Sequence, residues 1–228
     1  MADESQKSHY EKKYSNFKAL PNYDLEYRKF HYRFKNLITD NNIHIDSSSR
    51  LLDLGCAFGV KTYMMSDFFQ YTKGIDFIEN SIAVAKLLND NPKLEFEVED
   101  VSVEVKEDVK YNFITAFGLS IFNKKQIDAI VQNIQMVAAR FGQDKFTLIL
   151  GSETDFSGTS PSGWHYHSKQ EILSLQSHLI NLGYKVHLYY PHKKSNNYSG
   201  RGIAYWLYES LRLFSSAKRE YFLIIEKN

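Results

Sequence analysis

The run Leu51-Leu52-Asp53-Leu54-Gly55-Cys56-Ala57-Phe58-Gly59 holds the residues best suited to chemistry. An apolar stretch of strand length ends in a carboxylate and opens through glycines toward a helix. Such a turn lets a ligand approach the backbone closely and face the N-terminal amides of that helix. No Gly-Lys-Ser/Thr follows, so this is not a Walker loop, and the spacing is not the G-x-G-x-x-G of dinucleotide folds. Asp76 and Phe77 close the next apolar run, Glu99, Asp100 and Val101 a third, and Phe117-Gly118 a fourth. Further on, a polar loop from Gly151 ends in Trp164-His165-Tyr166-His167. His165 and His167 are two apart on an extended run and so share a face, and an imidazole with a pKa of about 6.5 is suited to taking a hydroxyl proton near neutrality. Either is expected to face an acceptor, His165 before His167. Read as a metal pair with Glu153 or Asp155, they lack further ligands, and no metal is assigned.

These residues need a frame that brings strand ends together. From Arg50 onward, apolar runs of strand length alternate with segments of helical period, the pattern of a parallel sheet with helices on both faces. Strands are expected at 50–55, 71–77, 94–101, 111–118 and 145–151, with four helices between them. The clearest helix runs from about Lys124 to Phe141, where Ile127, Ile130, Val131, Ile134, Val137, Ala138 and Phe141 form one stripe and Gly142 a stop. Another begins at Ser168, where Glu171 completes a capping box, and ends at Gly183. Strands at 185–190 and 221–226 follow, separated by a segment with helical pattern from about Ile203 to Phe214.

Aromatic residues make up 15% of the chain, with 16 Tyr and 16 Phe, more than its core needs, so some line or cover a ligand site. Tyr10, Tyr14, Phe17, Tyr23, Tyr27, Phe30 and Phe34 recur at near-helical spacing. Residues 1–46 therefore read as an N-terminal aromatic helical cap on a core spanning 47–228. An insert at about 191–219 mixes basic residues with Tyr198, Tyr205, Trp206 and Tyr208; it reads equally as a solvated face, an acceptor lid or a homodimer contact.

The strand–turn–helix motif with Asp53, followed at the right distance by Asp76, by Glu99-Asp100 and by the strand Tyr111 to Gly118, resembles the class I S-adenosylmethionine-dependent methyltransferases. The resemblance is carried by about Arg50 to Gly118. It implies a Rossmann-like, seven-stranded, mostly parallel sheet with helices on both faces and an antiparallel last strand. It also implies S-adenosylmethionine as cofactor, held by the turn Gly55, Cys56, Ala57 and Gly59. Asp53 would lie near the methionyl end, Asp76 on the ribose hydroxyls, Phe77 on the adenine, Asp100 and Val101 by the adenine amino group, and Phe117 beside the methionine portion. Tyr14 would close over the cofactor from the cap. The turn departs from the family's commoner form at Ala57 and Phe58, where glycine is frequent.

A sulfonium donor is already activated, so such an enzyme mainly aligns its acceptor and excludes water. Ala116-Phe117-Gly118-Leu119 lacks the Asp/Asn-Pro-Pro-Tyr/Phe of nucleic-acid adenine methylases. Lys plus Arg number 28 against 27 Asp plus Glu, a net charge of +1 that exerts no general pull on nucleic acid or anionic membrane. A single cysteine excludes a disulfide framework and fits the cytoplasm. No stretch approaches the roughly 20 apolar residues of a transmembrane helix. The expected function is methyl transfer to a hydroxyl of a small-molecule or saccharide acceptor, with an anionic one suggested by the basic insert. N-methylation of a small amine, or a silent cofactor-binding subunit, are the alternatives.

Overall fold

The computed structural model describes residues 23–103, 109–155, 165–191 and 218–227. Tyr14, the helical pattern at 203–214 and most of the 191–219 insert, with Tyr205, Trp206 and Leu213, lie outside the described residues.

Seven strands form one sheet: β1 (Arg50–Leu54), β2 (Tyr71–Asp76), β3 (Leu94–Val98), β4 (Tyr111–Phe117), β5 (Gly142–Asp155), β6 (Lys185–Tyr189) and β7 (Lys218–Lys227), in the order β3-β2-β1-β4-β5-β7-β6. The first five are parallel to one another, and β7 runs antiparallel between β5 and β6, as expected of the last strand. Five described helices accompany them: α1 (Tyr23–Asp40), α2 (Val60–Met65), α3 (Glu79–Leu88), α4 (Ile127–Phe141) and α5 (Lys169–Asn181). Three of the four expected inter-strand helices are present; between β3 and β4, Val101 and Ser102 form a turn and 104–108 are not described.

Strand alternation builds a core on each face. Leu52, Leu54, Leu148 and Leu150 pack with Ile130, Ile134, Val137 and Phe141 of α4 and Leu175 and Leu179 of α5. Leu51, Phe113 and Ile149 face the other way, onto Phe34 and Leu37 of α1 and Met65 and Phe69 after β1. Polar ties then fix α1 across the sheet: Tyr189 Oη donates to Asp40 Oδ2 at 2.6 Å, and Arg33 donates to Glu220 at 3.2 Å.

Several expected boundaries move: β3 ends at Val98 rather than 101, β5 starts at Gly142 rather than 145, and β7 spans Lys218–Lys227 rather than 221–226. The segment Ser152–Asp155, read from its polarity as loop, continues β5, because β7 supplies partners in register: Ser152 opposite Tyr221, Glu153 opposite Glu220, Thr154 opposite Arg219 and Asp155 opposite Lys218. Backbone pairing overrides composition there. The long helix starts at Ile127 rather than Lys124, since Ser120–Phe122 forms a short 3₁₀ turn, Gln126 is extended, and the Lys124 carbonyl is held by His167. The α5 start is as read: Ser168 accepts from the Glu171 amide while Glu171 accepts from the Ser168 amide.

Candidate active site

The parallel strands end together at one edge, and the innermost polar group there is Asp53. Register places it opposite Thr115 of β4. Thr115 Oγ1 donates to Asp53 Oδ1 at 2.7 Å and Thr62 Oγ1, from α2, donates to Oδ2 at 2.6 Å. At 3% exposure, burial pushes the Asp53 carboxyl up to about 6, against the opposing pull of Thr62, Thr115 and Lys61.

The turn after β1 is stitched to β2. Gly55 and Cys56 amides both donate to the Ile75 carbonyl, at 2.8 and 3.0 Å. Asp76 Oδ2 accepts from the Ala57 amide and its Oδ1 from the Ile78 amide, each at 2.9 Å. Burial raises the Asp76 carboxyl, and these amides counteract it. Gly55, Ala57 and Gly59 all have positive φ, 73°, 49° and 73°. Ala57, where the family favours glycine, thus keeps the left-handed conformation, held there by its bond to Asp76. A Cβ at Gly55 would stand 2.6 Å from Leu119 Cδ1, so this turn presents bare backbone toward the loop after β4.

The remaining motif residues divide by direction. Cys56 is buried with Ile82, Ala85 and Phe96, its thiol pushed up by burial and then by Asp53 and Asp76, so only its backbone is turned to the site. Phe77 stands half-buried beside Asp76. Glu99 is taken by a buried ion pair with Arg140, which also donates to the Val101 and Val103 carbonyls. Asp100 caps the next turn, with Oδ1 accepting from the Ser102 amide at 2.8 Å and hydroxyl at 2.7 Å, above a buried Val101.

Beside this turn opens a cleft of about 360 Å³. Phe30 of α1, Lys61 of α2 and Phe117-Gly118 at the end of β4 form one wall; Gly151, Ser152 and Glu153 of β5, Tyr166 and Glu220 form the other. Phe117 meets Phe30 and Phe222 edge-on, at 5.5 and 5.9 Å between ring centroids. The Lys61 ammonium lies 5.2 Å from the Phe117 centroid and 5.5 Å from that of Phe30, a cation–π cage. Glu220 is paired with Arg33.

His165 and His167 do share a face, their rings 5.0 Å apart, but alternation turns Tyr166 rather than either imidazole to the cleft. Neither imidazole is among the residues that line the cleft. The loop after β4 holds this segment: Asn123 Oδ1 accepts from the His165 amide at 2.9 Å while Asn123 Nδ2 donates to the His165 carbonyl. His165 Nε2 lies 2.9 Å from Glu171 Oε1. Burial pushes Glu171 up, but the Ser168 amide and hydroxyl together with His165 outweigh it and hold the carboxyl below its ordinary value. His167 is 2% exposed, with Nε2 2.9 Å from the Lys124 carbonyl and Nδ1 3.3 Å from Tyr221 Oη. Among the described residues, no three His, Cys, Asp or Glu side chains converge on a metal position, and no helix is long and apolar enough to cross a membrane.

A carboxylate under a left-handed glycine turn, a second one at the next strand end and an adjoining cleft agree with the matching family model, described as a methyltransferase domain, which covers residues 51–142. Residues 51–142 match that methyltransferase-domain model. A curated relative, the malonyl-[acyl-carrier protein] O-methyltransferase of Bacillus anthracis, is 28% identical over 152 residues, 58% of this chain and 55% of its own; the chain thus spans about half the length of that relative. Among solved structures, a DhpI complex with S-adenosylhomocysteine superposes with a TM-score of 0.64 at 15% identity, covering 97% of this chain and 95% of that one. A Haemonchus contortus phosphoethanolamine N-methyltransferase gives 0.59 at 13% identity, covering 85% of this chain and 52% of the other. At such identities these structures carry the fold. The matched stretch contains Asp53, Asp76, Asp100 and Phe117, whereas Ser152, Tyr166, His167 and Tyr221 lie beyond its end.

Sequence reasoning missed Thr62 and Thr115, the partners of Asp53, and Lys61 and Glu220 around the cleft; Phe30 belongs to the expected aromatic cap, and Ser152 and Tyr166 to the polar segment read after the fifth strand. Thr115 carried a signal, being a polar residue inside a mostly apolar strand; Glu220 carried none until β5 and β7 were paired.

Proposed function

We propose that this chain transfers the methyl group of S-adenosylmethionine to a hydroxyl of a small-molecule or saccharide acceptor. The observation that supports the reading best is the bare-backbone turn at Gly55, flanked by buried Asp53 and by Asp76 and opening beside a cleft of small-molecule size. The donor supplies an activated methyl group on sulfur. In this proposal Asp76 exchanges its amide partners in part for ribose hydroxyls, Phe77 stacks on the adenine, Asp100 and Val101 meet its edge, and the amides and carbonyls of Gly55, Cys56, Ala57 and Gly59 line the turn. Asp53 places negative charge below the sulfonium and ammonium end. Phe117, Phe30 and the 1–46 cap, Tyr14 included, exclude water.

The described cleft wall bears Glu153 and Glu220 against Lys61. It therefore gives no support to an anionic acceptor, an idea that rested on the basic insert. Glu153 favours one second reading, an amine acceptor, because a carboxylate there suits a cation. The proposed homodimer through 191–219 and cytoplasmic location rest on sequence alone.

Calorimetry with S-adenosylmethionine tests the donor assignment: Asp76→Ala leaves ribose hydroxyls and loop amides unpaired and is expected to lose about 2 kcal/mol, roughly 30-fold in affinity. Equal affinity of parent and mutant removes Asp76 from the site. Incubation with methyl-labelled donor and a low-molecular-weight cell extract, followed by mass analysis, then separates O-methyl from N-methyl products.

A further inference from the structure

Behind Ser152 a line of polar side chains leads away from the cleft. Ser152 lines the cleft and is the direct cross-strand partner of Tyr221, so both side chains project from the same face of the sheet. Across the strand pair the Ser152 hydroxyl stands toward that of Tyr221 and favours its ionised form. Tyr221 Oη in turn lies 3.3 Å from His167 Nδ1, and His167 Nε2 lies 2.9 Å from the Lys124 carbonyl. The carbonyl accepts only, so Nε2 carries the imidazole proton and Nδ1 must accept. Every donor is then assigned: Ser152 to Tyr221, Tyr221 to His167, His167 to Lys124. Tyr221 is 5% and His167 2% exposed, so the path is shielded from solvent beyond its first member.

We propose that Ser152, Tyr221 and His167 form a proton relay that draws the acceptor's hydroxyl proton out of the cleft, Ser152 touching the acceptor and Tyr221 and His167 acting through it. The relay rests on the hydroxyl-acceptor reading above. As the oxygen–methyl bond forms and the donor's sulfur–methyl bond breaks with its electron pair remaining on sulfur, the acceptor proton passes to Ser152 Oγ. The Ser152 proton passes to Tyr221, and that of Tyr221 to His167 Nδ1. The imidazolium holds one proton, which returns along the same path to solvent once the product leaves.

The groups around His167 set how readily it holds that charge. Burial pulls its pKa below 6.5 and the neighbouring His165 ring also opposes a charge; the Lys124 carbonyl and Glu171 of α5 favour one. Tyr221 from β7 donates to the neutral form, and burial pushes its own hydroxyl up, so it passes a proton on without standing as a phenolate. The capping-box residue Glu171, tied to His165, is thus the nearest compensating anion.

The test uses the full chain with ¹⁵N-labelled histidine. In the parent, His167 should be the Nε2–H tautomer with a pKa below 6.5. Tyr221→Phe, which keeps the ring and removes only the donor to Nδ1, should raise that pKa. With methyl-labelled S-adenosylmethionine and a low-molecular-weight cell extract as acceptor source, Ser152→Ala and Tyr221→Phe should each lower the rate of O-methyl product formation about 10- to 100-fold and abolish its acidic limb. Donor affinity should stay within twofold, and Ser152→Thr should restore the rate. An Nδ1–H tautomer of His167 overturns the relay without touching the proposed function, as does a parental rate and pH profile in Tyr221→Phe. Label found solely on nitrogen overturns the hydroxyl reading and the relay with it.

Discussion

Asp53 is the residue whose charge state matters most, because its two oxygens already accept from Thr62 and Thr115 and it has no solvent to stabilise its ionised form. With its carboxyl raised to about 6, it is largely neutral at pH 5 and largely ionised at pH 7. The folded form holds the proton more tightly than the unfolded chain, so this residue's contribution to stability falls as pH rises from about 4 to about 6 and is constant above. Donor binding should run oppositely, since a cationic ligand prefers the ionised carboxylate. We expect S-adenosylmethionine affinity to rise severalfold between pH 5 and 7 with an inflection near 6, and Asp53→Asn to abolish the inflection; calorimetry at stepped pH decides, and an inflection that survives the mutation assigns it elsewhere. Asp53 and Asp76 were legible because each ends an apolar run, a local signal. Their partners were not. Thr115 reaches Asp53 only through a strand register that joins residues 62 apart in the chain. The choice between Glu99 and Asp100 likewise waited on Arg140 of α4.

At the scale of elements, the glycines of the site differ in what they protect. Gly59 and Gly118 both have positive φ, 73° and 75°, but a Cβ at Gly59 would lie 2.4 Å from the Phe96 ring whereas at Gly118 nothing stands within 4 Å. Gly118→Ala should therefore cost backbone strain alone, about 1 kcal/mol. Gly59→Ala adds the overpacking of Phe96, for a total of about 2–4 kcal/mol. Urea unfolding of the two variants measures the difference, and equal midpoints would show that Phe96 yields freely. The elements themselves were largely readable: the seven strands, the α4 stripe and the α5 capping box are written in spacing and composition within single segments. What could not be read was the length of β5, because Ser152–Asp155 are polar and become strand only through β7, some 66 positions on. Glu220, which reaches the cleft only through that pairing, therefore stayed invisible in the sequence.

Across the whole molecule, α1 links the sheet's far edge to the site. Its Asp40 end is bonded to Tyr189 of β6, Phe34 and Leu37 are buried in the face beneath it, and Phe30 reaches the cleft against Phe117 and Lys61. Stability and site closure are thus assigned to different stretches of the same N-terminal segment. Among the described side chains of this helix the buried ones begin at Phe34, and the helix itself begins at Tyr23. Deleting residues 1–20 removes none of the described core or the Asp40 and Arg33 ties, so the urea midpoint should hardly move. The deletion takes away the aromatic rings proposed to cover the donor, and S-adenosylmethionine affinity should fall about tenfold or more, the equivalent of burying one aromatic side chain less. Calorimetry beside an unfolding curve separates these effects. A truncated chain with parental affinity would leave donor closure to α1 and the insert, and one that unfolds at much lower urea would make the first 20 residues part of the core.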